Sequence, residues 1–258
     1  MPAPTSAYWD DVAVAAAAAP SETPLWRVQS DVVNTMLIER WLPAAGLRRV
    51  LKTDLFDEFV GPGLHPVLRR CASQVVGIDI SPVIASSAAA RYPDLEAVVA
   101  DVRALPFDSG SFDAMVSNST LDHFSDPDEV ETAIRELRRV LRRGGRLVMT
   151  LDNPLNPIVA LRNVLPANMA RAARGVNYEA GWTCGPRRLG RLLSGSGFSA
   201  CDVTAVVHLP RVVLAWLGDV GDADLSRWVA LIRAAERLER LPTRYITGHF
   251  VAVLAEAT

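Results

Sequence analysis

A chain of 258 residues, half of them hydrophobic and 22% charged, has the composition of one sizeable globular domain with additions and not of a disordered segment. A formal net charge of -2 leaves no basic excess to neutralise phosphates, which argues against a nucleic-acid partner. Cys71, Cys184 and Cys201 have neither metal-site nor redox-pair spacing and read as thiols of a reducing compartment.

The run "VAVAAAAA" (12–19) follows Asp10 and Asp11 instead of a basic segment and is too short to cross a bilayer. It is read as neither leader nor anchor, so the expected location is cytoplasmic, with no membrane partner. Residues 1–46 read as helical, notably "VQSDVVNTMLIERWL" (28–42), and are taken as a cap on an α/β unit spanning 47–258. That unit opens with strand "RVLKTDL" (49–55) and a short helix "LHPVLRRCAS" (64–73). Strand "QVVGIDI" (74–80), helix "SPVIASSAAARY" (81–92) and strand "EAVVAD" (96–101) follow. Next come strand "FDAMVSNS" (112–119), helix "DEVETAIRELRRVLRR" (128–143), stopped by Gly144-Gly145, and strand "GRLVMTLD" (145–152). Helix "PRRLGRLLSGSGF" (186–198) leads into strand "CDVTAVVHL" (201–209), and "YITGHFVAVLAEA" (245–257) closes the chain. A helical insertion at about 210–243 contains "DADLSRWVALIRAAERLERL", with Leu225, Trp228, Val229, Ile232, Ala235 and Leu238 on one stripe. Apolar strands alternating with helices predict a parallel sheet covered on both faces. Both helical additions are read as core cover or as a lid over the strand ends.

Ligands of such sheets sit beyond the carboxyl ends of the strands. Three consecutive strands here finish on aspartates: Asp54, Asp79 and Asp101. A single one is more simply a turn residue or helix cap, as Asp108 and Asp126 are read. Recurrence at each strand–helix–strand step points to a ligand. A carboxylate at the second strand end can accept both hydroxyls of a ribose, and one at the third an adenine amino proton. The N–H of Val102 would then meet a ring nitrogen.

"VVGIDISPVIASSAAARYP", "AVVADVRALPFDSGSFDAMVSNSTLDHFSDPDE" and "AIRELRRVLRRGGRLVMT" together resemble successive motifs of class I S-adenosylmethionine-dependent methyltransferases. The resemblance is close over about 47–152 and looser through "RRLGRLLSGSGF" and "GHFVAVLAEA". It implies a Rossmann-like α/β fold with a seven-stranded, mostly parallel sheet whose last strand is antiparallel, plus helical caps. It implies S-adenosyl-L-methionine as cofactor, with Asp79 and the adjoining Ile80 at the ribose, Asp101 and Val102 at the adenine, and Asn118 and Ser119 along the methionine portion.

The chain departs from the family in the first motif. There the acid and glycine-rich turn are replaced within "VLKTDLFDEF": Lys52 stands for the acid, Asp54 and Phe56 for glycines, Glu58 for the last glycine. Side chains at these positions force a different turn or a shifted ligand. Asp54, Asp57 or Glu58 is then a candidate acceptor for the cofactor's ammonium. Lys52, the single lysine among 27 basic residues, can pair with Asp54, meet the cofactor's carboxylate, or extend outward as a strand residue.

Methyl transfer needs alignment and, for an oxygen or nitrogen nucleophile, removal of a proton. His123 in "STLDHF" is the candidate base, or else only shapes the pocket; Asp122 beside it is a comparable candidate for ligand contact. His65, His208 and His249 lack metal-ligand spacing, so no metal is expected. Tyr8, Trp9, Trp26, Tyr178 and Trp182 suit a flat small-molecule acceptor if they are not simply packing. "LDNPLNP" (151–157) is a stiff loop that either borders that pocket or only turns. The expected function is methyl transfer to an O, N or C nucleophile of a small biosynthetic molecule. The alternatives are a lyase or cyclase that keeps the cofactor as scaffold, and a non-catalytic member. Nothing in the sequence specifies an oligomeric state.

Overall fold

The computed structural model describes residues 5–17, 23–165, 181–217, 219–220 and 222–258. Seven strands form the central sheet: β1 (Leu47–Lys52), β2 (Ala72–Asp79), β3 (Leu95–Val99), β4 (Phe112–Asn118), β5 (Leu141–Asp152), β6 (Phe198–Val206) and β7 (Phe250–Ala257). Their spatial order is β3-β2-β1-β4-β5-β7-β6. Only β7 runs antiparallel, hydrogen-bonded to β5 on one side and β6 on the other. The pleat sends alternate residues to opposite faces. Val50 thus enters one core and Leu51 the other, and Ala252 separates from Val251 and Val253 in the same way.

One face is covered by α1 (Ser6–Ala17), α2 (Leu25–Trp41), the short α3 (Phe56–Val60), α4 (His65–Cys71) and α5 (Pro82–Arg91). The other is covered by α6 (Pro127–Val140) and by α8 (Pro186–Gly195); between these in the chain lies α7 (Pro157–Val164). Helix α6 illustrates why: Val130, Ala133, Ile134, Leu137 and Val140 form one buried stripe. Asp126 caps it by accepting the Asp128 N–H at 2.9 Å, and Arg138 and Arg139 close its last turn. The insertion supplies α9 (Arg211–Leu217) and α10 (Asp222–Ala235), which packs on α2; α11 (Arg244–Thr247) precedes β7. A two-residue bridge, Thr23–Pro24 with Asp219–Val220, ties the insertion to the N-terminal segment. Among the described residues no helix is long and apolar enough to cross a membrane.

Several boundaries move. β1 ends at Lys52, short of the strand end expected at Leu55, and a short helix follows at Phe56–Val60. Helix α6 stops at Val140, and Gly144-Gly145 lies inside β5, where the register against β4 slips between Leu141 and Arg146. Gly144 takes φ 68°, the left-handed conformation that glycine tolerates at such a bulge. On the insertion stripe only Ile232 is fully buried; Leu225 and Leu238 are exposed, and the α-helix gives way to a 3-10 turn over Glu236–Arg240. Glu236 is turned inward, accepting the N–H groups of Val207 and His208. These bonds hold Val207 at φ 63°, an unfavourable angle for a β-branched residue.

Candidate active site

The carboxyl ends of β1, β2 and β4 open on a pocket of about 1180 Å³, part of it continuous with solvent. Because β7 runs against its neighbours, its first residue, Phe250, reaches this same edge. Helices α1 and α2 close the pocket from above through Trp9, Trp26, Arg27, Ser30 and Asn34.

Asp79 ends β2 and is 7% exposed. Its Oδ2 accepts the Leu55 N–H at 3.0 Å and its Oδ1 the Ser81 N–H at 2.9 Å, leaving lone pairs on both oxygens for a ligand. Burial pushes its pKa up to about 6, against the pull of those two backbone donors. Ile80, Ile84, Ala100 and Val102 make an apolar wall beside it. Asp101 lies on the same wall, but Arg103 Nε sits 3.0 Å from both of its carboxylate oxygens, and Arg103 also pairs with Glu129.

The turn after β1 is built on a buried ion pair. Lys52, 1% exposed, donates to the Asp54 carbonyl at 2.6 Å; its Nζ lies 2.8 Å from Glu58 Oε2 and 3.4 Å from Asp54 Oδ1. Glu58, fully buried, uses Oε1 to accept the N–H groups of Leu64 and His65. Its side chain lies where a Cβ on Gly63 (φ 58°) would stand, 2.6 Å away, so a glycine is needed there. Burial works against the lysine charge, but Asp54 and Glu58 outweigh it and raise the pKa. Lys52 and Glu58 therefore lie beneath the pocket and not on its lining; of the readings open for Lys52, the pairing with Asp54 is the one seen, and Glu58 faces Lys52 in place of the pocket. Asp54 and Asp57 do line it. Burial pushes Asp54 up to about 6, with Lys52 opposing, and Asp57 pairs with Arg27 at 3.3 Å.

At the end of β4, Asn118 and Ser119 line the pocket. Ser119 adopts φ 49°, a strained conformation of the kind found at functional sites. His123 follows in a 3-10 turn, Leu121–His123, and its ring meets Trp9 edge-on at 4.8 Å. Asp122 points the other way, 3% exposed, accepting from Ser119 Oγ at 2.6 Å. It is absent from the lining, so its place is beneath the His123 turn and not against a ligand. Burial, then the charge of Asp152, pushes its pKa up to about 6. Burial also disfavours the charge on Asp152, but His249 and Arg162 outweigh it and hold that carboxyl below the usual range. Gly181 donates to the Asp122 carbonyl at 2.7 Å; a Cβ there would fall 2.2 Å from the Phe124 carbonyl oxygen.

Residues 60–149 match the family described as "Methyltransferase domain", starting just past the altered first turn. A demethylmenaquinone methyltransferase of Renibacterium salmoninarum is 29% identical over 234 residues, 89% of this chain and 83% of that one. The ubiquinone/menaquinone biosynthesis C-methyltransferase UbiE of Hahella chejuensis is 36% identical over 110 residues, 42% of this chain and 41% of that one. Among solved structures, the [4+2]-cyclase SpnF superposes with a TM-score of 0.63 at 22% identity, covering 100% of this chain and 98% of that one. Over residues 60–149 the chain is similar to the S-adenosylmethionine-dependent methyltransferase family. It spans less than half the length of several of the curated relatives it matches.

The residues present fit the cofactor of that family. Asp79 retains acceptor capacity for ribose hydroxyls beside the apolar wall of Ile80, Ile84, Ala100 and Val102. Asn118 Nδ2 is buried without a partner among the described residues, on the pocket wall. The family's adenine acceptor is the weakest point, since Asp101 shares its oxygens with Arg103. Of the expected site residues, Asp54, Asp79, Ile80, Asp101, Val102, Asn118, Ser119 and His123 come together on one pocket; Lys52, Glu58 and Asp122 do not. Trp9 and Trp26 line it, Trp182 is core, and Tyr178 lies outside the described residues. The Asn-Pro loop is structural: Asn153 Nδ2 donates to the Tyr245 and Gly248 carbonyls, and Asn156 caps α7. Among the described residues no cluster could hold a metal. Sequence reading missed Arg27, Phe250 and Arg211 as lining; the last two follow or begin strands at the ligand edge, a signal that needs the direction of β7 to be used.

Proposed function

We propose that this chain transfers the methyl group of S-adenosylmethionine to an O, N or C nucleophile of a small biosynthetic acceptor. The observation that carries the reading is one continuous pocket running from Asp79, past Asn118 and His123, to Trp26 and Phe250. It has a nucleoside half and a second, aromatic-walled half. When bound, the cofactor supplies an electrophilic methyl on a sulfonium centre. Asp79 holds the ribose, the Val102 wall receives the adenine, and Asp54 with Asp57 accepts the ammonium. His123 takes the proton from an O–H or N–H acceptor, and Trp9 excludes water above it. Residues 1–46 act as the cap on the α/β domain of 47–258, and the acceptor is met in the cytoplasm.

The test is S-adenosylhomocysteine formation by purified protein over an acceptor panel, with cofactor binding measured by calorimetry. Asp79→Ala is expected to weaken S-adenosylhomocysteine binding about 100-fold or more through loss of charge-assisted hydrogen bonds. Unchanged affinity in that variant would overturn the site assignment. A second reading, a lyase or cyclase using the cofactor as scaffold, is favoured by the rebuilt first turn, and SpnF is named as a [4+2]-cyclase. Acceptor conversion without S-adenosylhomocysteine release would decide for it.

A further inference from the structure

We propose that the acceptor is an aromatic carboxylate and that Arg211 receives its carboxylate group. The proposal rests on reading the second half of the pocket as the acceptor site. Arg211 begins α9, just past β6, and its guanidinium lies over two pocket rings, 4.9 Å from the Trp26 centroid and 5.7 Å from that of Phe250. The other pocket arginine, Arg27, is neutralised by Asp57. Among the described residues no carboxylate pairs with Arg211, and no hydrogen bond engages it. A cation over aromatic faces keeps its in-plane N–H donors available, and that fork matches the two oxygens of a carboxylate.

Sheet order separates this group from the nucleoside. Asp79 is on β2, whereas Phe250 is on β7, four strand spacings away, or about 19 Å. His123, following β4, lies between them, where a proton would be removed. The charge count favours a monoanion: one unpaired guanidinium balances a carboxylate, whereas a phosphate dianion would leave charge uncompensated. Trp9, Phe124 and Phe250 line the space for the ring that carries it, while Arg27 and Arg211 stack on Trp26.

The experiment is calorimetric titration of protein saturated with S-adenosylhomocysteine. The probes are 4-hydroxybenzoate, 6-hydroxy-2-naphthoate and indole-3-acetate, each against its carboxamide. At least one acid is expected to bind the wild type about tenfold or more tighter than its amide. Arg211→Gln is expected to erase that preference and Arg211→Lys to keep part of it. S-adenosylhomocysteine affinity in Arg211→Gln should match the wild type, which also reports that the variant folds. Equal binding of acid and amide, no binding of any acid at millimolar concentration, or a preference that survives Arg211→Gln overturns the proposal. So does a loss of S-adenosylhomocysteine affinity in a folded Arg211→Gln, which would assign the arginine to the cofactor. If the wild type does not bind S-adenosylhomocysteine at all, it is the methyltransferase reading that fails. The acid-over-amide comparison on the wild type decides the matter even if Arg211→Gln does not fold.

Discussion

Lys52 does the work of backbone geometry with a side chain. A glycine-rich turn lets the chain pass close under a ligand; here Asp54 and Glu58 crowd the same turn, and a fully buried ammonium holds both. Removing one partner from such a pair leaves an uncompensated buried charge, costing about 3–5 kcal/mol. Lys52→Met should therefore lower unfolding free energy by about that amount in urea titrations. Lys52→Met/Glu58→Gln should recover a good part of it, because Gln Oε1 can still accept the Leu64 and His65 N–H groups. A single variant as stable as the wild type would mean the pair contributes nothing. Asp79 makes a separate prediction about pH. Its pKa, raised to about 6, means that the free protein holds a proton there below that pH. A ribose needs the ionised form, so S-adenosylhomocysteine affinity should fall as pH drops from 7.5 to 5, with proton release on binding near pH 6. Flat affinity across that range would remove Asp79 as the ribose acceptor.

Helix α1 is tied to the nucleoside side by a short relay. Asp10 accepts from Ser81 Oγ at 2.5 Å, Ser81 Oγ accepts the Ile84 N–H as the cap of α5, and the Ser81 N–H donates to Asp79. The same helix places Trp9 against His123. Cofactor bound at Asp79 thus shares a hydrogen-bond chain with the element that covers the pocket. Asp10→Ala is expected to speed proteolysis within the first 20 residues and to reduce the protection conferred by S-adenosylhomocysteine. Identical cleavage rates in variant and wild type would show that the relay does not hold α1. Trp9→Ala should raise acceptor KM several-fold with cofactor affinity unchanged; a change confined to cofactor affinity would place Trp9 on the wrong half of the pocket.

Across the whole molecule, the buried ionisable groups pull stability in two directions with pH. Asp31 is pushed up to about 8 by burial and then by Asp57, and Glu236 up to about 7 by burial. Both hold a proton in the fold above their ordinary range, so the stability they confer is full below about pH 4 and is lost progressively as pH rises from there to about 7 for Glu236 and about 8 for Asp31. His65, His208 and His249 are lowered by burial, and their contribution is lost as pH falls below about 6.5. The apo protein should have a Tm lower by about 2 °C or more at pH 8.5 than at pH 6.5. A Tm that rises steadily to pH 8.5 would mean that Asp31 and Glu236 are ionised in the fold.

The sequence by itself determined the sheet and the carboxylates that line its ligand edge. Each depends on short-range pattern: apolar runs at strand period, a cap such as Asp126, and Asp79 and Asp101 at successive strand ends. Strand direction then carries those carboxylates to one edge without further information. Its misreadings lie where a partner distant in sequence decides. Whether Glu58 faces a ligand or Lys52 depends on α3 folding back toward Gly63, and neither periodicity nor charge spacing encodes that turn. Asp122 and His123 are adjacent in the chain, yet the 3-10 turn sends one beneath the pocket and the other into it. Arg211 and Phe250 reach the site because β7 is inserted antiparallel between β5 and β6, which puts its beginning where its neighbours end. Tertiary structure alone settles such residues, since burial and pairing are properties of what lies opposite a side chain, not of what precedes it.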